Sequence, residues 1–248
     1  MKARFVALLV PPTLWLAIFL VVPAAIVSAN AFTAEGLRHL ASPVTWTLFA
    51  RSFSIALVAT TVCLAASYPA AYFIAGCAPR WRNLLLFLVV LPFWTNLLVR
   101  VYALKVVLPE AFQNSTGAVV FGLVHSFLPF MILPLYASIE KLPRRLLEAS
   151  QDLGASPWMS FWKVTVPLTA PGIGAGCILV FIPAFGIFAL PEFLGGAQAW
   201  MLGNQIELYF KKQQGSTAAG SALTLLLLGC TVALTGVYYR LRKTEGLV

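Results

Sequence analysis

The chain has 248 residues, 60% of them hydrophobic and only 10% charged, against roughly 45–50% and roughly 25% in an ordinary soluble domain. With a mean hydropathy of +0.88, it carries more apolar side chain than a water-facing domain of this size can bury, which excludes a soluble enzyme, a disordered tail and a disulfide-rich secreted module. The net charge of +9 does not indicate nucleic acid, because the 17 basic residues fall in short groups between apolar runs, as membrane orientation signals do.

Stretches free of Asp, Glu, Lys and Arg cover residues 5–34, 52–79, 83–99, 111–139, 164–191 and 213–239. A helix needs roughly 20 apolar residues to cross the hydrocarbon, and five of these runs exceed that. The run at 83–99 continues apolar through Arg100 and Lys105 to Leu108, so one helix ending there completes a sixth span. The expected fold is an all-α integral membrane protein, a single transmembrane domain over residues 1–248 with six helices. The Gly-rich stretch 193–206 reads as loop or re-entrant backbone. The first run ends in Ser28-Ala29-Asn30-Ala31, which has the look of a cleavage site. It is nevertheless read as a retained helix, because signal h-regions are shorter, about 7–15 residues.

With the first run counted as a span, the basic residues sort into two sets. Lys2, Arg4, Arg80, Arg82, Lys141, Arg144, Arg145, Lys163, Arg240, Arg242 and Lys243 lie on one side. Arg38, Arg51, Arg100, Lys105, Lys211 and Lys212 lie on the other. The positive-inside rule puts both termini and the 141–167 loop in the cytoplasm. Pro69, Pro92, Pro129, Pro134 and Pro183 lie within the runs, as do Gly172, Gly174 and Gly176. These are read as kinks and close packing in preference to gating hinges.

Few side chains offer chemistry. Cys63, Cys77, Cys177 and Cys230 form no CxxC pair, and His39 and His125 stand alone without HExxH or a carboxylate pair; no metal or cofactor is expected. No GxxxxGK[ST] occurs, so this chain does not cradle ATP phosphates.

The informative segment is the loop from Lys141 to Pro167, between the fourth and fifth spans. Pro143 suits the first turn of a helix, in which Leu146, Ala149, Ser150 and Leu153 share one face. Arg144, Arg145, Glu148, Gln151 and Asp152 occupy the opposite face. Gly154 stands where a helix ends, and Ser156-Pro157 supplies an N-cap with Pro at the first position of a second helix. The loop therefore reads as two short helices joined by a tight turn, its small apolar face inward and its charged rim outward. That pattern suggests docking into a partner on the cytoplasmic side, with a helix lying on the membrane surface as the alternative.

Glu148-Ala149-Ser150, Gly154 and Val164-Thr165-Val166-Pro167 resemble the "EAA…G…I-LP" loop of binding-protein-dependent ABC importer permeases. Ser150, Val164 and Val166 are conservative departures from that pattern. Leu91-Pro92-Phe93-Trp94-Thr95-Asn96, Leu128-Pro129-Phe130, Pro134-Leu135-Tyr136 and Gly195-Gly196-Ala197 with Gly203-Asn204 further resemble the spermidine/putrescine type of such permeases. The loop at 109–117 looks shorter than that type implies.

The resemblance implies a bacterial inner-membrane permease forming half of a translocation pathway. It implies as partners a second, homologous permease, two ATPase subunits at the loop and a periplasmic or extracellular substrate-binding protein, with ATP and Mg used by the ATPase. It also implies that Glu148, Ala149, Ser150, Asp152, Gly154, Ala155 and Pro157 form the coupling site. For a polyamine cargo, carboxylate and aromatic groups are the expected pathway tools, which nominates Glu192, Trp94, Tyr102 and Tyr136. Arg100 and Lys105 would repel a polycation, and are expected to snorkel or to pair with an acid; they could equally serve an anionic cargo. Two other classes compete. An ion-coupled transporter would want an intramembrane relay that the spans lack apart from His125, and a membrane-embedded enzyme would want a nucleophile–base or metal constellation.

Overall fold

In hydrocarbon a backbone amide finds no partner except another protein group, so an apolar chain of this kind folds into helices. The computed structural model describes residues 2–196, 199–211 and 216–245. Ala197 and Lys212, both used in the sequence reading, lie outside the described residues. Among the described residues five helices are long and apolar enough to cross a membrane, and a bent pair makes a sixth crossing.

The first helix, α1 (Lys2–Ala31), contains Pro11, Pro12 and Pro23 and lies against the last helix, α11 (Thr217–Glu245). Its described side chains before Ile26 face outward, so it stands beside the core and not within it. A short surface helix, α2 (Ala34–Leu40), begins where Thr33 accepts a hydrogen bond from the Gly36 amide. Its ends suit the helix dipole, with Glu35 in the first turn and Arg38 and His39 in the last.

Pro43 then opens α3 (Pro43–Gly76), 34 residues long. The charge-free run predicted its start near residue 52; the helix begins earlier because Pro43 is preorganised for a first turn and Arg51 interrupts apolarity but not helix geometry.

The third crossing departs from the expectation of one helix. After α4 (Pro79–Val90) and a 3-10 turn over Leu91–Trp94, the chain bends by 95° into α5 (Leu97–Val107). Pro92 lacks the donor that would continue the helix. Asn96 starts a new one by accepting from the Leu98 amide at 2.8 Å.

The core is formed by α3, α6 (Thr116–Glu140) and α9 (Val166–Gly186), each packed on the other two. Leu123, Met131, Leu135, Val180 and Phe185 are fully buried there. Phe53 meets Phe181 edge-on at 5.3 Å, and Phe49 meets Phe185 at 5.5 Å. The Tyr68 hydroxyl lies 2.9 Å from Thr169 Oγ1, tying α3 to α9. Gly172 and Gly176 sit in the α6–α9 seam and Gly174 faces Tyr238 of α11, which agrees with the packing reading of this glycine series.

The seam sets a sharp expectation. A Cβ at Gly172 would fall 2.3 Å from Ser138 Oγ and 2.7 Å from Pro134 O, whereas at Gly229 nothing lies within 4 Å. Gly172→Ala is expected to cost about 1–3 kcal/mol through overpacking, and Gly229→Ala to be neutral or stabilising by up to about 1 kcal/mol. Thermal unfolding of the detergent-purified protein measures both, and equal melting temperatures for the two variants would contradict the packing assignment.

Candidate functional site

The loop after α6 folds as two short helices, α7 (Arg144–Asp152) and α8 (Pro157–Ser160). Pro143 is the N-cap of α7, one position before the first turn where the sequence put it. The Gly154 amide donates to Gln151 O at 2.8 Å and the Ala155 amide to Ser150 O at 3.0 Å. Gly154 itself is at φ +83 with no atom near its missing Cβ, so glycine is required there by the backbone and not by space. Ser156 accepts from the Met159 amide at 3.2 Å, and Pro157 takes the first helical position as expected.

Ser150 has a role that its reading as a conservative departure from alanine did not suggest. Its hydroxyl is 2.7 Å from Leu147 O and 2.7 Å from the buried Ser160 hydroxyl. This side chain ties α7 to α8. From α8 the chain passes through a π-helical turn, Phe161–Thr165, directly into α9. Phe161 of that turn stacks on Trp158 and packs edge-on against Tyr68 of α3, at 5.9 and 5.3 Å.

The apolar face does not turn inward as predicted. Leu147, Glu148 and Gln151 border a cleft of about 600 Å³ beneath α3, α4 and α6. Leu146, Ala149 and Leu153 point away from the protein's own body, together with Trp158, Met159 and Trp162. Leu153 is 89% exposed and Trp158 70%. Asp152 is exposed beside them. The physical reason is that the polar side of α7 can share the hydrated cleft with Arg82 and Glu140, whereas the apolar side has no surface of this chain to cover it.

A second set of features surrounds two interruptions of the helical backbone. At the bend in the third crossing, the Arg100 guanidinium donates to Pro92 O, to Thr95 O at 3.3 Å, to Thr95 Oγ1 at 3.2 Å and to Ser126 O of α6 at 3.4 Å. Arg100 therefore neither snorkels nor pairs with an acid: its guanidinium ties carbonyls of the bend to a carbonyl of α6. The second interruption follows α9 at Ile187–Phe188, after which the chain continues through a π-helical turn, Pro191–Gly195. There Asn204 Nδ2 donates to Phe188 O at 2.8 Å, and the Leu202 amide donates to Ser52 Oγ at 2.6 Å. Gly203 and Asn204 lie in α10 (Leu202–Lys211), not in loop, and α10 comes so close that a Cβ at Gly203 would be 2.6 Å from Gly186 O.

The four nominated pathway residues do not assemble. Glu192 is exposed in the second π-helical turn, where its neighbour Phe193 meets the exposed Tyr102 of α5 at 4.8 Å. Trp94 lies at the bend, 75% exposed, with its ring edge-on to Phe87 at 5.6 Å. Tyr136 is buried near the opposite end of α6, where it interacts with Glu140 and Arg82. Glu207 is engaged by Lys211 one turn away, and this carboxylate holds the Lys211 pKa above its ordinary value. Sequence reasoning missed Phe193, the Arg82–Glu140 contact and the stapling role of Arg100. Only the last had a signal: an arginine eight residues after a membrane proline.

Residues 67–244 match a family described as "Binding-protein-dependent transport system inner membrane component". The chain belongs to that family. It is 42% identical over 260 residues to the spermidine/putrescine transport system permease protein PotB of Haemophilus influenzae, covering 92% of this chain and 91% of that one. Identity to PotB of Escherichia coli K12 is 40% over 228 residues, covering 84% and 82%. Among solved structures, a chain of the bacterial alginate ABC transporter in complex with an alginate pentasaccharide-bound periplasmic protein superposes with a TM-score of 0.70. It is 15% identical and covers 96% of this chain and 93% of that chain. The protein is thus an inner-membrane permease of an ABC importer, a transport subunit and not an enzyme.

For such a permease the loop geometry is itself testable. Gly154→Ala forces a β-carbon into left-handed backbone, at a cost of roughly 1–2 kcal/mol, and Gly154→Asn should cost less. Hydrogen exchange at the Ala155 amide is expected to quicken in the alanine variant and less in the asparagine variant. An unchanged rate in both would mean that the turn does not depend on glycine.

Proposed function

We propose that this permease is one half of a translocation pathway for polyamines, driven through the α7–α8 loop by a separate ATPase. The observation that carries the coupling role is a rigid two-helix knob whose apolar side, Leu146, Leu153, Trp158 and Trp162, is turned away from its own chain. Glu148, Ala149, Ser150, Asp152, Gly154, Ala155 and Pro157 make up that knob and form the coupling site. Two ATPase copies using ATP and Mg, one under this chain and one under a second, homologous permease, would supply the closing movement. A substrate-binding protein would deliver cargo from the other face. The excess of basic residues around the loop and the two ends supports cytoplasmic termini.

The polyamine reading rests on the naming of the PotB relatives and on one corner of the fold. There the exposed Glu192 directly precedes Phe193, whose ring meets Tyr102, and the Glu192 carboxylate also acts on Lys211. A carboxylate beside aromatic faces suits an alkylammonium group, each cation–π contact adding roughly 0.5–2 kcal/mol. Arg100 keeps its positive charge, but its guanidinium is held on backbone carbonyls of the bend and of α6. Trp94 at the bend is a second aromatic surface for the same cargo; Tyr136, buried at the other end, is not part of this corner.

The test is ATP hydrolysis and uptake by the reconstituted assembly, with binding protein and spermidine or putrescine present. Polyamine is expected to stimulate hydrolysis in the wild type, and Glu148→Lys and Gly154→Val, the latter a β-branched residue in left-handed backbone, are expected to abolish that stimulation. Stimulation by another solute alone would discard the polyamine, and transport without any ATPase would discard the coupling role. Glu192→Gln is expected to lower uptake roughly tenfold, about 1.4 kcal/mol of lost interaction, with assembly intact. Wild-type uptake kinetics in that variant would remove Glu192 from the pathway.

A further inference from the structure

A knob that receives force at one end of a helical bundle moves only those helices to which it is joined. Two connections are evident here. The three residues Lys141–Pro143 link α7 to the end of α6 at Glu140, and the Ser150–Ser160 contact leads through α8 into α9. Between α7 and the ends of α3 and α4 lies the cleft of about 600 Å³, with Leu147, Glu148 and Gln151 on one wall and Tyr72, Gly76 and Arg82 on the other.

Arg82 spans the far wall of this cleft. Its Nη1 donates to Glu140 Oε1 at 2.6 Å, while its Nη2 donates to Ala75 O at 3.3 Å and lies 3.5 Å from Cys77 O. One guanidinium on α4 thus holds the last carbonyls of α3 and the last residue of α6. Tyr136, one turn before Glu140 on α6, interacts with both partners. Building on the coupling role argued above, we propose that Arg82 is a positioning residue which, through Glu140, carries displacement of the α7–α8 loop into α4.

The exposure of the pair separates this role from a stabilising one. The Arg82 side chain is 24% exposed and that of Glu140 42%, and an ion pair whose carboxylate is this open to solvent is screened and contributes modestly to stability. Losing the pair should leave a folded permease in which the α3, α6 and α9 core still follows the loop while α4, released from Glu140, follows less closely. Hydrolysis would continue and transport would not keep pace.

The experiment compares the full reconstituted transporter carrying Arg82→Gln, Glu140→Gln or the exchanged pair Arg82→Glu/Glu140→Arg. It records assembly with the ATPase, ATP hydrolysis and spermidine taken up per ATP. Both single variants are expected to assemble and hydrolyse ATP as the wild type does, with uptake per ATP reduced roughly five- to tenfold. The exchanged pair should recover roughly half of that loss, the part owed to the interaction between the two charges. Wild-type uptake per ATP in the single variants would overturn the proposal. So would an exchanged pair no better than either single variant, or losses that follow failed assembly. If the wild type itself shows no ATP-driven uptake, the coupling role fails first and this proposal falls with it.

Discussion

Backbone carbonyls and amides at membrane depth must be satisfied within the protein, and this requirement explains the features that distinguish the fold from a plain bundle. The 12 residues of α4 rise only about 18 Å, short of the roughly 30 Å of hydrocarbon, so α4 does not span it without the bend and α5. The bend survives because Arg100 supplies several donors in a fixed fork and Asn96 restarts the helix. The second interruption survives because Asn204 and the close approach of Gly203 bring α10 onto it. Irregular backbone at such depth is tolerated where protein covers it or a hydrated cavity adjoins it. Exposed Trp94 stands at the first interruption and exposed Glu192 follows the second.

Around these interruptions the α3, α6 and α9 core is built to move as a unit. A residue larger than glycine at 172 or 176 would collide with Ser138, Met131 or Pro134, so the two helices are in close contact along this seam. Helices packed so closely shift together instead of bending independently. Tyr68 and Thr169 extend the same rigidity to α3. Movement delivered to α9 through the π-helical turn after α8, as proposed above, would therefore reach α6 and α3 as well. The first helix packs on α11, outside this core.

Much of this was legible from residue order. The spans followed from charge-free runs, and the knob from Gly154 and Ser156-Pro157, because capping and left-handed turns are decided by a few neighbouring residues. The family followed from the same segment. The bend at Pro92 was not legible: proline is common inside membrane helices that stay straight enough to span, and only the distant Ser126 carbonyl and the placement of Arg100 show that this one turns the chain. The outward apolar face of α7 was misassigned because periodicity identifies a face without saying what it meets. The Arg82–Glu140 contact joins residues 58 apart, and no local pattern links them. The place of Tyr136, apart from the other three nominated residues, was not legible for the same reason, since its surroundings are set by tertiary contact.

The knob also shows how stiffness and exposure serve one purpose. An exposed apolar surface binds a partner at the expense of whatever ordering the contact requires, and each immobilised side chain costs roughly 0.5–1.5 kcal/mol. Here the ordering is already complete in the permease. Gly154 fixes the turn, Ser156 caps the second helix, Ser150 joins the two, and Trp158 is stacked on Phe161. Contact with Leu153, Trp158 and Trp162 then meets a surface that need not rearrange, so little of a partner's displacement is absorbed within the loop. A softer loop could bind as tightly and still fail to transmit. The coupling role proposed for the loop would therefore rest less on the apolar residues than on the three polar or backbone features that hold them still.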